Sequence, residues 1–439
     1  MNKNKQNNKT ESWIADPSLA EEGQQLIEIA RDDMPALVSL VKKYKETKPL
    51  KGSRISVCVI PTPETGNLIW ALINLGAEVR LCSDNIISVD DRVAAAVDSW
   101  GVSVFGKRDQ TLDEFFKCIQ WALEFKDAEG NIVPPTQIID DGSDMTQLIH
   151  RNKYKWAKEL KGVSEQTTCG VEFAKTLKKQ GKLKVPIIDI NTGFKAAFDN
   201  YYGSKESFLY AFKRTKDIMF GGKKVLVSGY GRVGKGVVDM LKICGADVYV
   251  SEVSPVRAAH ALMEGTTVVN VNDCLSDMDI FITAATTPHV FNLDQILKMK
   301  SGATLCNMGE NLEYDAQQLV TIDGVEKVVI NENLVRYKKG DWFIDSLCDG
   351  YLLNMRIGGN PPRVLGITFA LHILAHIKLS KGWKLEAGNI YSLPPEVDDE
   401  IALMNFPELK DKLTELSNNQ KNYLSGDTLR EIEEACGCC

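Results

Sequence analysis

The sequence has no uninterrupted apolar run of about 18 residues, the length at which a helix crosses a bilayer. Its polar opening, MNKNKQNNKTESW, lacks the apolar centre of a signal peptide. Membrane insertion and secretion are therefore not expected, and cytoplasmic residence is. An excess of positive charge is also missing: 52 Lys and Arg stand against 59 Asp and Glu, a net charge of −7. Such a chain has no field to attract polyanions, so nucleic acid is not an expected partner. A disulfide framework is absent too, because Cys58, Cys82, Cys244 and Cys306 lie within apolar runs, as reduced buried thiols do. Three of the eleven cysteines, Cys436, Cys438 and Cys439, cluster in the tail, where thiols are more often exposed and oxidisable than metal-bound. Histidine is scarce, with only His150, His260, His289, His372 and His376. His372 and His376 have the spacing of a metal pair, but the apolar run around them offers no third ligand. A buried structural role is expected for both, and for His150, and no metal is expected.

What the chain does have, over 439 residues that are 44% hydrophobic and 25% charged, is material for two or three domains with large cores. Short apolar β-rich runs alternate with longer helical patterns, the mark of parallel α/β architecture. Strands are expected at 54–60, 78–82, 137–139, 185–188, 224–228, 247–250, 280–283 and 303–307. They need two sheets, with a boundary near residues 200 to 206, just ahead of the polar helical stretch Ser204 to Met219. Gly366 to Leu379 reads as a buried helix preceded by a Gly-Gly-Asn-Pro-Pro turn. From Glu408 onward the chain is charged and helical in pattern, suited to a partner or to the surface.

Lys224 to Ser228 is followed by Gly229-Tyr230-Gly231-Arg232-Val233-Gly234 and an apolar helical pattern: strand, glycine turn and helix in the order of a dinucleotide site. Such a site needs glycines because the turn is tight and its backbone must approach a pyrophosphate at the helix N-terminus. Glu252 follows the next strand, placed to accept hydrogen bonds from ribose hydroxyls and to repel a 2′-phosphate. The expected cofactor is NAD, not NADP. Arg232 fits either an occupied or an empty turn.

With these residues in view, the sequence resembles the S-adenosylhomocysteine hydrolase family from about Trp13 to Leu424. The motifs that carry the likeness are Ile14-Ala15-Asp16 with Ser18-Leu19-Ala20, Pro49 to Gly52, Glu64-Thr65, Asn85-Ile86, Asp140-Asp141-Gly142, Leu148 to His150, Gly162 to Glu165, Phe198-Asp199-Asn200 and Gly229-Tyr230-Gly231. The resemblance implies two Rossmann-like doubly wound domains with a C-terminal helical tail. Residues 1–203 plus 357–405 would bind substrate, 204–356 would bind NAD, and 406–439 would form the tail. It implies a homodimer or homotetramer and a nucleoside substrate: adenosine, S-adenosylhomocysteine or an analogue. In that family bound NAD oxidises the nucleoside 3′-hydroxyl. The ketone acidifies the C4′ proton, the 5′ thiolate leaves, water adds, and the ketone is reduced again. By family register Lys195, Asp199 and Asn200 handle the 3′-hydroxyl, and Asp141 serves near C3′ and C4′. Thr62, Glu64 and Thr65 belong to the adenine motif and Thr167 lies near the ribose. Asn354 lies near the nicotinamide, and Asn307, Arg232 and Val233 belong to the cofactor side.

This chain departs from the family at its histidines. Ile60, Glu310 and Asn360 stand where the family has histidine, and Gln166 replaces a second acid after Glu165. These four also line the expected substrate site. Apolar Ile60 can move no proton, and losing one placed acid or base costs about 10² to 10⁴ in rate. His289 is the one histidine that could compensate from the cofactor side, although a loop or capping role is the commoner one. The tail also lacks the family's Lys- and Tyr-containing end, which puts permanent NAD binding in question. The expected function is an adenosylhomocysteinase-like NAD-dependent hydrolase in one-carbon metabolism. Two alternatives stand beside it: a nucleoside oxidoreductase or lyase with a different 5′ group, and a catalytically silent paralogue that binds NAD and adenosine.

Overall fold

The computed structural model describes residues 11–151, 154–314 and 316–425, so the cysteine cluster of the tail lies outside the described residues. Among the described residues seventeen strands follow one another: β1 (Arg54–Cys58), β2 (Glu78–Cys82), β3 (Ser103–Phe105), β4 (Phe125–Lys126), β5 (Ile132–Val133), β6 (Gln137–Asp140), β7 (Gly162–Glu165), β8 (Ile187–Asp189), β9 (Lys224–Ser228), β10 (Asp247–Ser251), β11 (Thr267–Val268), β12 (Ile280–Thr283), β13 (Ala303–Asn307), β14 (Glu326–Asn331), β15 (Leu334–Lys339), β16 (Trp342–Leu347) and β17 (Ile390–Ser392). All eight strands expected from the sequence form, with ends shifted by up to two residues.

The first sheet is seven-stranded and wholly parallel, in the order β17-β8-β7-β6-β1-β2-β3. Its inner strands, such as β1 and β6, are buried on both faces, whereas the edge strand β17 is partly exposed. The order reverses between β1 and β6, and Asp141, the residue after β6, donates its backbone N–H to the Cys58 carbonyl across that point (3.1 Å). Ligands bind at such a reversal, beyond the carboxyl ends of the strands. The second sheet runs β11-β10-β9-β12-β13-β16-β15-β14; its first six strands are parallel and its last three form an antiparallel meander. Here the reversal lies between β9 and β12, beside the glycine turn. The strands β4 and β5 make a separate hairpin.

The helix Pro362–Ser380 returns after the second sheet and packs into the core of the first, and β17 then joins that sheet's edge. The helix is long and apolar enough to pass for a membrane span, yet 83% of its most apolar stretch is buried inside the protein. The eight cysteines among the described residues are unpaired and six are buried. At the far end, the short helix Asn418–Ser425 is exposed along its length.

Candidate functional site

Parallel register aligns Cys58, Asp140, Glu165 and Asp189 in one row at the carboxyl edge of the first sheet. Functional side chains project from the residues just beyond that row. Asp141, 6% exposed, accepts a hydrogen bond from the Gln166 amide. Burial holds its carboxyl well above the ordinary carboxylate range, the neighbouring Glu310 carboxylate adds to this, and Lys195 opposes it. Glu165 is fully buried and accepts from the backbone N–H groups of Gly142 and Thr167 and from the hydroxyls of Thr167 and Ser143. Thr167 caps its helix by accepting from Gly170 N–H (3.3 Å).

Lys195, Asp199 and Asn200 sit where the helix Gly193–Phe198 passes into a π-helical turn, Asp199–Gly203, a distortion common at functional sites. Lys195 and Asp199 are each 4% exposed. The Lys195 Nζ donates to Asn200 Oδ1 (2.7 Å) and Asn191 Oδ1 (3.1 Å) and lies 3.6 Å from Asp199 Oδ2. Its three N–H groups thus meet three acceptors. Asp199 is saturated in turn by the Thr368 hydroxyl (2.9 Å) and the Asn360 amide (2.7 Å). A buried charge pair persists only with this kind of complete hydrogen bonding. Asn360 also accepts from the Ser207 hydroxyl (2.8 Å) and the Asn354 amide (3.0 Å), so it bridges Asp199 to Asn354.

In the adenine motif, Thr62 caps the helix Pro63–Asn74, with its hydroxyl accepting from Thr65 N–H. Glu64 is 5% exposed, and its Oε2 has no partner. Burial pushes its carboxyl up to about 7, against the Thr62 hydrogen bond. Ile60 is buried at the end of the loop entering this helix. Glu310, just after β13, is exposed to solvent and accepts from the Cys169 thiol of the first unit (2.6 Å). It therefore lies on the cleft between the two sheets.

The glycine turn divides its labour among three residues. Gly229 has φ +105, and a Cβ on it would meet the Ala284 carbonyl oxygen at 2.5 Å. A Cβ on Gly234 would stand 2.0 Å from the Gly229 carbonyl oxygen, so that glycine allows helix and strand to approach. Of the three, Gly231 has open space: its Cβ would meet nothing nearer than Arg257, at 4.0 Å. That opening, at the N-terminus of the helix Arg232–Ile243, fits a pyrophosphate. Glu252 follows β10 and accepts from the Tyr230 N–H of the turn (2.7 Å). Arg232 is exposed and Val233 half-buried. Asn354 Oδ1 is buried without a partner. Asn307 is instead fully engaged by protein groups: it accepts from Thr283 and Gly309 and donates to the carbonyls of Asn311 and Gly350.

Several residues here carried no sequence signal. Thr368 and Ser207 act across 169 and 153 residues respectively. Asp84 contributes an unpartnered Oδ1, and burial, with Asp141 and Asp144 nearby, holds its carboxyl well above the ordinary range. Glu313 is buried with Oε1 unpartnered and its carboxyl pushed up to about 8 by burial. Asn191 was findable, since Asn191, Lys195 and Asp199 step along the chain at intervals of four. His289 is exposed at φ +59 in the loop after β12.

Two doubly wound sheets, one ending in a saturated Lys–Asp pair and the other in a three-glycine turn, define a dinucleotide-binding α/β protein with a second ligand site. The chain belongs to the S-adenosyl-L-homocysteine hydrolase family. The family model of S-adenosyl-L-homocysteine hydrolase matches residues 11–155, and that of its NAD binding domain matches residues 200–359. Its cofactor is accordingly NAD. Among solved structures it is similar to a dipicolinate synthase from Bacillus halodurans (14% identity, 75% of this chain and 98% of that one, TM-score 0.41). It is similar also to a dipicolinate synthase from Bacillus subtilis (15%, 75% and 98%, 0.42) and to Salmonella D-lactate dehydrogenase (16%, 51% and 68%, 0.29). These likenesses are too distant to bear on function.

Proposed function

We propose that this protein binds an adenosine-type nucleoside, oxidises its 3′-hydroxyl with bound NAD, and so enables loss of the C4′ proton and cleavage of a 5′ thioether, as in S-adenosylhomocysteine. The observation that carries this reading is the buried Lys195–Asp199–Asn200 network, close enough to Asp141 for Lys195 to act on its carboxyl. NAD supplies the acceptor for the C3′ hydride and returns it at the end. The hydroxyl proton passes to the Asp199 carboxylate, and the Lys195 ammonium donates to the substrate oxygen in place of one present partner. Asp141, held well above the ordinary carboxylate range, is suited to take a proton from a carbon acidified by the adjacent ketone near neutral pH. Glu64 Oε2 offers an acceptor for the adenine amino group, with Thr62 and Thr65 beside it. Gln166 and Thr167 border the ribose, and Asn360 couples Asp199 to Asn354 on the nicotinamide side.

A second reading is favoured by one feature. Buried Ile60 and the acidic Glu310 stand where the family has histidines, so a 5′ group other than homocysteine, with lyase or oxidoreductase chemistry, fits the same redox half. We also divide the chain into 1–203 with 357–405 for the nucleoside, 204–356 for NAD and 406–439 as tail, and take the working form as a cytoplasmic homodimer or homotetramer. Single-turnover NADH absorbance, C4′ deuterium uptake and thiol release, followed together with S-adenosylhomocysteine, test the proposed reaction. NADH and deuterium uptake with thiol release support the hydrolase. The first two without thiol support the second reading. Absence of NADH with any nucleoside refutes both.

A further inference from the structure

The core beneath Asp141 and Gln166 contains a line of polar groups that the proposed reaction does not touch. Gln166 donates to Asp141, and its carbonyl faces His372 Nε2 at 3.2 Å. His372 Nδ1 lies 2.6 Å from Ser164 Oγ, and Ser164 Oγ lies 2.8 Å from His376 Nε2. His376 Nδ1 faces the Gln137 carbonyl at 2.6 Å, and the Gln137 amide donates to Ser380 (2.8 Å) and Ser53 (3.2 Å). Both rings and Ser164 are wholly buried, so each group must find its partner within the line.

Hydrogen counting restricts the line. With both glutamine carbonyls facing the rings, His372 Nε2 and His376 Nδ1 each need a hydrogen. Ser164, with one hydrogen, then faces two bare nitrogens. Turning either amide by 180° exchanges its donor and acceptor and removes the conflict. If Gln137 turns, every bond donates toward Asp141: both histidines carry hydrogen on Nε2, and Asp141 is ionised. If Gln166 turns, every bond reverses: both histidines carry hydrogen on Nδ1, and Asp141 must be protonated to donate to the Gln166 carbonyl. The only other solution is an imidazolium, which burial opposes at both rings. Between the two patterns the histidines keep one proton each, and Asp141 alone gains or loses one.

We infer that His372, Ser164 and His376 are positioning residues that couple the protonation of Asp141, through Gln166, to a joint tautomer change of two buried imidazoles. The line lets a buried carboxylate alternate between base and acid without leaving a donor or acceptor unpaired, and its bonds reinforce one another in either direction. Its catalytic meaning rests on the role proposed above for Asp141. The charged groups facing Asp141 are Glu310, Lys195 and Asp140, with Asp84 and Glu165 close by, and His372 faces Lys195 and His376.

The test is ¹⁵N NMR of the NAD-loaded protein labelled at histidine, with each of the five rings assigned by its own substitution. Both buried rings should stay neutral throughout, carry hydrogen on Nε2 at alkaline pH, and change together to Nδ1 with one midpoint as Asp141 protonates. Asp141→Asn, nearly isosteric, should abolish the pH-driven change, and Gln166→Met should do the same. A fixed tautomer, a change in one ring only, an imidazolium, or a transition that survives Asp141→Asn would each overturn the inference. A joint switch in a protein that exchanges no C4′ proton would leave the inference standing and sink the proposed reaction.

Discussion

Replacing Glu64 by Gln isolates the energetic consequence of burying an acid with an unpartnered oxygen. In the folded protein the Glu64 carboxyl is pushed from the ordinary 4.5 to about 7, chiefly by burial. A raised acid favours the protonated folded state. Its contribution is therefore fully present below pH 4.5 and is lost as pH rises through about 7. At about 1.36 kcal/mol per pH unit, that interval is worth about 3 kcal/mol between pH 4 and pH 8. Because Gln is neutral and nearly isosteric, Glu64→Gln should match the parent at pH 4 and exceed it at pH 8. At roughly 2 to 4 °C per kcal/mol, the gain for the unit holding Glu64 approaches about 6 to 12 °C as an upper bound. Thermal unfolding of NAD-free protein and variant from pH 4 to 8.5 measures the difference directly. Two melting curves that stay parallel across that range would refute the reasoning, because they would mean that Glu64 titrates alike in folded and unfolded chains.

The glycine turn gives a contrast within one motif. Gly234→Ala should unfold or strongly destabilise the second unit, whereas Gly231→Ala should leave the melting temperature of NAD-free protein within about a degree while weakening NAD binding in calorimetry. Glu252→Ala should weaken NAD and narrow its preference over NADP; an unchanged preference would remove Glu252 from the ribose. Ile60→His should raise thiol release by on the order of 10² without changing NADH formation, and a fall in both would show that the position shapes a different 5′ pocket.

The parallel frames were legible because a strand buried on both faces must be a nearly continuous apolar run, as Val225-Leu226-Val227 and Ile280-Phe281-Ile282 are. Burial alone did not suffice for β7, whose Gly-Val-Ser-Glu carries one apolar side chain because its Ser164 and Glu165 are held by polar partners. The meander β14 to β16 was hidden for another reason: the apolar run Val328-Val329-Ile330 of β14 lies on a largely exposed edge, and β15 and β16 mix charged with apolar residues. β17 reaches the first sheet only after the chain has crossed the second, a placement that no local pattern encodes. In the site, motif register located the Lys195 and Asp141 groups. Thr368, which saturates Asp199, and Ser207, which holds Asn360, are ordinary residues in helical sequence, and only the tertiary approach gives them their role.

The distribution of histidines leads to a last prediction about the source of proton transfer. His150 is held by the Thr146 carbonyl and the Lys184 N–H, away from the cleft. His372 and His376 are wholly buried and held below the ordinary histidine range by burial. That leaves His260, exposed on the helix Pro255–Met263, and His289, exposed in its loop. If carboxylates and Lys195 carry the chemistry, neither exposed ring matters. The double variant His260→Ala, His289→Ala should then form NADH from bound nucleoside at the parent rate and with the parent pH profile. Asp141→Asn should lose C4′ exchange by about 10² or more, the usual cost of removing a placed base. A double variant that kept NADH formation but lost C4′ exchange or thiol release would make one of these two rings, told apart by the single variants, the replacement for the missing histidines.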